Sequence, residues 1–228
     1  MKVVFALVVA GAAVVGAIVL LGGDGSTVTT NPSGGGTAVA PETPDLTFTT
    51  SKPVVETVTL AQRPKGLADA ATTASKRAVA VLDTVYTETF LDPSSWEDGS
   101  YDDAWSQFTD AAAERAEADT AAMTAGEEAG GLYGTIEPVK ATARPRVLVD
   151  DAGRPVSVVA LVTFTAKGVH DDGSYTLFKS TGQWFLRPQG NAWKVVAFDV
   201  RRADSEREAP ASPDPSSSGD PSPSESAS

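Results

Sequence analysis

The chain has 228 residues, with 30 acidic against 18 basic side chains, a formal net charge of −12 and no cysteine. Disulfides, thiolate nucleophiles and cysteine-ligated metals are thereby excluded, and so acidic a chain repels nucleic acid over its surface as a whole. A single histidine, His170, limits imidazole chemistry to one place.

The first element is apolar. Val3–Leu21 (VVFALVVAGAAVVGAIVLL) carries no charge, and at 1.5 Å per residue it spans about 28 Å, close to the hydrocarbon thickness of a bilayer. Residues 1–21 are therefore expected to be a cytoplasmic tip and a transmembrane anchor. A cleaved signal peptide is the alternative, but the run exceeds the usual apolar core of about 7–15 residues and no A-x-A site follows Leu21. Lys2 precedes the span and Asp24 is the first charge after it, which places the remainder outside the cytoplasm by the positive-inside rule. Small residues at four-residue spacing (Ala6 and Ala10, Ala12 and Gly16, Ala13 and Ala17) permit close approach of a second helix. They are also ordinary in such spans, and that reading is preferred.

Residues 22–65 read as a flexible linker. Gly, Thr and Pro dominate 22–45 without helical or strand period. Within 46–60, Val54, Glu56, Val58 and Leu60 alternate like a short added strand, which Pro53 weakens.

A folded domain is expected over 66–203. From Leu67 to Phe90, Ala78, Val81, Leu82, Val85, Tyr86 and Phe90 recur at three- and four-residue spacing, and Pro93 stops the helix. A second helix is predicted from Tyr101 to about Thr124 through Trp105, Phe108 and Ala112. A glycine-rich loop follows, and then strands over about 135–149, 154–168, 174–187 and 192–202. The turn signals Asp151-Ala-Gly153, Asp172-Gly173 and Gln189-Gly190-Asn191 separate them. Helices first and an antiparallel meander after give an α+β domain with the helices on one sheet face. With Gln189 and Gly190 at the last turn, Leu186 faces Trp193 and Trp184 faces Val195. One face then carries Trp184, Leu186, Trp193 and Val195, and the other Phe185, Val196 and Phe198. Two partly apolar faces imply that the second meets a pocket, an added segment or a partner. Residues 204–228 are Ser, Pro and acid with almost no apolar side chain, and read as a disordered tail.

Helices followed by a four-stranded meander closing on GQWFLRPQGNAWKVVAFDV (182–200) resemble the nuclear transport factor 2-like superfamily. With an anchor and tether in front, the whole is similar to the actinobacterial Mce-associated membrane proteins and to periplasmic assembly domains of conjugation machines. The resemblance covers about 66–203 and implies a curved, cone-like sheet. It transfers no catalytic residue.

Chemistry has few candidates. Some members of that superfamily use an Asp and a Tyr inside the cone to move a proton, as in the ketosteroid isomerase pattern. Here Asp199 with Tyr86, Tyr101, Tyr133 or Tyr175 is the corresponding set; an outward Asp199 paired with Arg201, Arg144 or Arg146 is the preferred reading. His170-Asp171-Asp172-Gly173 reads as a metal or acid–base site or, preferably, as a hairpin tip. Trp96, Glu97, Asp98, Asp102 and Asp103 form an acidic stretch that lacks EF-hand spacing and suits a solvated loop. Trp184 and Trp193 line a ligand wall or, preferably, fill core. No catalytic, cofactor-binding or metal residue is assigned and no cofactor is expected. The expectation is a non-enzymatic docking or assembly domain of an envelope complex, with the cytoplasmic membrane and proteins as partners. The alternatives are an apolar-ligand binder or cone enzyme, and a secreted soluble domain.

Overall fold

The computed structural model describes residues 42–57 and 65–208. Within them lie short strands β1 (Thr49–Thr50) and β2 (Val54–Thr57), helix α1 (Leu67–Tyr86), a π-helical turn (Thr87–Leu91), and short helices α2 (Pro93–Asp98), α3 (Asp102–Trp105), α4 (Asp110–Ala118), α5 (Thr120–Met123) and α6 (Ala129–Leu132). Long strands β3 (Thr135–Val149), β4 (Pro155–Val169), β5 (Tyr175–Gln189) and β6 (Ala192–Arg207) complete the domain. The class is α+β, as expected. The proposed span Val3–Leu21 lies outside the described residues, among which no helix is long and apolar enough to cross a membrane.

The sheet has six strands rather than four. The long strands form the expected antiparallel meander, while β1 and β2 both pair in parallel with β3. The linker expected over 22–65 therefore contributes strands at 49–50 and 54–57, and the sheet begins before residue 66. Phe48 explains the recruitment: it is buried, its ring centroid lies 5.3 Å from that of Tyr86, and its backbone N–H donates to Asp83 Oδ1 at 2.8 Å. One buried aromatic and one capped amide bring the following residues to the free edge of β3. Pro145 falls in the gap between the two parallel patches, where its missing N–H disturbs neither. At the other end, β6 runs through Arg207, beyond the expected tail boundary at 204.

The predicted second helix is broken. Phe108 leaves helical geometry to bridge to Val195 of β6: Thr109 N–H donates to Val195 O at 2.9 Å, and Val195 N–H donates to Gln107 O at 3.0 Å. The otherwise free edge of β6 gains partners, and the helix is split into α3, α4 and α5. The first predicted helix ends its α geometry at Tyr86, four residues early, and continues as the π-helical turn to Leu91.

The last hairpin has a different register from the predicted one. Gly190 and Asn191 form the turn, so Gln189 faces Ala192, Pro188 faces Trp193 and Leu186 faces Val195. A β-bulge between Phe185 and Leu186 then puts Trp184 opposite Phe198. The extra residue of a bulge reverses the alternation beyond it, and Phe198 joins Trp184, Leu186, Trp193 and Val195 on the helix-covered face. All five are buried.

The core lies between α1 and this face. Tyr86 packs on Phe164 at 4.8 Å and on Phe90 and Trp184 at 5.6 Å, and Phe90 on Phe164 at 5.2 Å. Asp83, at the entrance, is half-buried, and burial raises its pKa more than the Phe48 amide lowers it. A carboxyl whose pKa is raised on folding contributes stability at low pH that is lost as pH rises through the folded pKa. Asp83→Asn keeps an acceptor for Phe48 without that charge. The variant should gain on the wild type in melting temperature between pH 4 and pH 7; a constant difference across that range would contradict the assignment.

Candidate functional site

The domain interior is the first place to look for chemistry. Tyr86 is fully buried, and its hydroxyl lies 2.9 Å from Ser180 Oγ. Burial pushes its pKa up to about 12, with Ser180 and the nearby Trp184 indole opposing the shift. The indole Nε1 itself makes no hydrogen bond of ordinary geometry. Around this pair, Val85, Thr89, Phe90, Met123 and Val200 leave only a narrow void of about 150 Å³, without room for a water-sized sphere. Side chains fill the region in which a substrate would have to sit.

Asp199 is not there. It sits on the outer face of β6, exposed and opposite Gln183. The bulge that turns Phe198 inward is the same feature that turns Asp199 outward. The expected partners do not hold it: Arg146 pairs with Glu56 at 3.3 Å instead. Of the tyrosines, Tyr101 is buried in the helical layer with a raised pKa, chiefly from burial. Tyr133 packs on His170 and Phe178, and Tyr175 lies under Lys167 on the outer face. Among the described residues the structure joins no Asp–Tyr pair by a hydrogen bond.

His170 forms part of a hairpin tip. Its backbone N–H donates to Ser174 O, and Gly173 N–H donates back to His170 O, each at 3.0 Å. The imidazole Nε2 lies 3.0 Å from Thr176 Oγ1, and Asp172 accepts from Ser174 rather than turning to the ring. The positive φ of Gly173 accounts for the Asp-Gly pair.

The acidic stretch divides among separate tasks. Asp92 caps α2 by accepting from Ser94 N–H, Trp96 is buried, and Asp102 and Asp103 occupy the first turn of α3. Glu88 sits beside Asp92 and Asp103 in an open groove, its pKa raised first by burial and then by those neighbours. Among the described residues no group of three His, Asp or Glu is arranged to hold a metal ion.

The outer sheet face is a further candidate. Alternation places Lys140 and Arg144 of β3, Lys179 and Arg187 of β5, and Arg201 and Arg207 of β6 there, all exposed. The exposed acids of the long strands on this face are Glu137 and Asp199. Between the bases run Val159, Leu161 and Phe185, half-buried or at the edge of exposure, with Leu161 at 36%. A chain of net charge −12 thus gathers a basic sheet face with an apolar strip, while exposed carboxylates such as Glu114, Glu117, Asp119, Glu127 and Glu128 collect on the helical side. No family model, curated protein or solved structure matches the chain. This face is legible in the sequence only after register and bulge are known, because total charge conceals it.

Proposed function

We propose that the chain is a membrane-anchored, extracytoplasmic, non-enzymatic docking or assembly domain of an envelope complex. The observation that carries the reading is the basic, partly apolar outer sheet face, set against an interior closed to ligands. A closed core favours a binding module over a cone enzyme or an apolar-ligand carrier. The anchor rests on the apolar run Val3–Leu21, and the Gly-, Thr- and Pro-rich residues 22–45 after it are proposed as its tether. The finer architecture proposed is a nuclear transport factor 2-like arrangement, supported by the order of helices then meander; the six-stranded sheet is uncurled, against the expected cone-like curvature.

The test is capture of the full chain from detergent-solubilised membranes beside a Lys179→Glu, Arg201→Glu variant. Partners that dock on the outer face should be recovered with the wild type and lost with the variant, because like-charge contacts at an interface are strongly unfavourable. Identical recoveries would reject this face as the docking surface. Recovery of both proteins in the soluble fraction would favour a secreted domain.

A further inference from the structure

We infer that the basic outer face takes the acidic helical flank of a second copy of this chain, so that domains stack head to tail; the inference rests on that face being the docking surface. Charge is divided sharply along the sequence. Residues 88–132 hold twelve acidic side chains and one basic, Arg115, while the rest of the chain is nearly balanced, with eighteen acids against seventeen bases. Arg115 itself lies over the Phe198 ring at 4.8 Å. On α4, Ala112 and Ala116 face the core, which turns Asp110, Glu114 and Glu117 to solvent as one stripe at four- and three-residue spacing. The sheet offers the reverse pattern. Lys140 and Lys179 share a row, each paired with Thr165 of the strand between them, and Arg201 lies in the next row beside Thr181. Among the described residues no ion pair includes Lys140, Arg144, Lys179, Arg201, Glu114 or Glu117.

The spacings match. Asp110 and Glu117 are about 10 Å apart along α4 at 1.5 Å per residue, and Lys140 and Lys179 are two strand spacings apart, also about 10 Å. A helix laid across the sheet thus sets its carboxylates against cations already in position. The two surfaces lie on opposite sides of the sheet, so a copy bound through one still presents the other. Contacts between unlike surfaces that do not close into a ring build an open file, which suits an assembly element. Copies of like net charge repel at long range. At about 0.1 M salt that repulsion is screened beyond about 10 Å, whereas the facing surfaces meet at shorter distances. Exposed ion pairs are individually weak, so the contact is reversible and depends on concentration.

The test is sedimentation velocity of the purified full chain in non-ionic detergent at about 0.1 M salt, beside two charge-reversed variants. Lys179→Glu, Arg201→Glu reverses the sheet face and Glu114→Lys, Glu117→Lys the helical flank; all four positions are exposed. The wild type should shift to larger species as its concentration rises. Each variant alone should need at least about tenfold more protein to do so, because facing like charges are unfavourable. An equimolar mixture of the two variants should associate again, since each supplies the surface complementary to the other's reversed one. Misfolded variants could not give that recovery. In about 1 M salt every sample should sediment as single copies. A wild type that stays single, variants that associate as it does, or a mixture that stays apart would overturn the inference. A loss confined to the sheet variant would remove α4 as the occupant, and a loss confined to the helical variant would remove the basic face. No other protein is present in this experiment. Self-association can therefore fail while capture of a different partner stands, and capture can fail while self-association stands.

Discussion

Trp184→Ala should cost about 3–5 kcal/mol, the range for truncating a buried large aromatic. The residue is 1% exposed and stands where the helical layer meets the sheet, with ring centroids 5.6 Å from Tyr86, 5.9 Å from Phe198 and 6.1 Å from Phe108. The narrow void beside it would open into a cavity that these neighbours, held from three different elements, cannot collapse to fill. Against a stability of about 5–15 kcal/mol, the loss takes the domain a large part of the way to unfolding. Trp184→Phe should cost much less. It leaves a smaller cavity and removes an indole N–H that has no hydrogen-bond partner. Urea unfolding followed by far-ultraviolet circular dichroism reads both changes, with exposed Gln183→Ala expected within about 0.5 kcal/mol of wild type. An unchanged midpoint for Trp184→Ala would remove this residue from the core and return the tryptophan pair to a ligand-lining role.

The opening pattern of the last hairpin shows what could be read beforehand. Turn residues and alternation were enough to put Trp184, Leu186, Trp193 and Val195 on one face, and the structure keeps them there. Phe198 was misplaced because a bulge is a one-residue insertion with no composition of its own, and one residue inverts everything beyond it. The same inversion bears on the chemistry, since it puts Asp199 on the surface, where the preferred reading has it, rather than in the interior. The split of the second helix was equally hidden: Trp105, Phe108 and Ala112 keep helical spacing while Phe108 pairs with a strand about 90 residues away. Strand β2 falls where Val54 and Glu56 alternate like a strand despite Pro53, whereas β1 has no such pattern of its own. Their cause is long-range, the burial of Phe48 and the Asp83 cap. The basic face needed both corrections before its residues could be grouped.

Gly182→Ala tests the strand pairing that builds this face. A Cβ at Gly182 would lie 2.2 Å from Asp199 O and 2.7 Å from Val200 Cα. Both atoms are backbone, and neither can swing aside as a side-chain terminus would. Glycine within a strand marks close approach of another backbone, and here the partner is β6, which carries Arg201 and Arg207. Overpacking costs about 1–3 kcal/mol where side chains can adjust, occasionally more; this clash should lie at or above the top of that range. The damage should also be local. Amide hydrogen exchange should lose protection through β6 around Asp199–Arg201, whereas amides shared by β3 and β4 near Val147 and Val158 should stay protected until global unfolding. Gly131→Ala, in α6 with open space where the methyl would go, should be neutral or slightly stabilising. Wild-type exchange in β6 of the Gly182→Ala variant would mean that the two strands separate freely at this point. The variant also divides stability from charge at the outer face. Arg201→Glu alters the face while leaving the β5–β6 pairing intact, whereas Gly182→Ala leaves every charge in the sequence and withdraws the strand that displays Arg201 and Arg207.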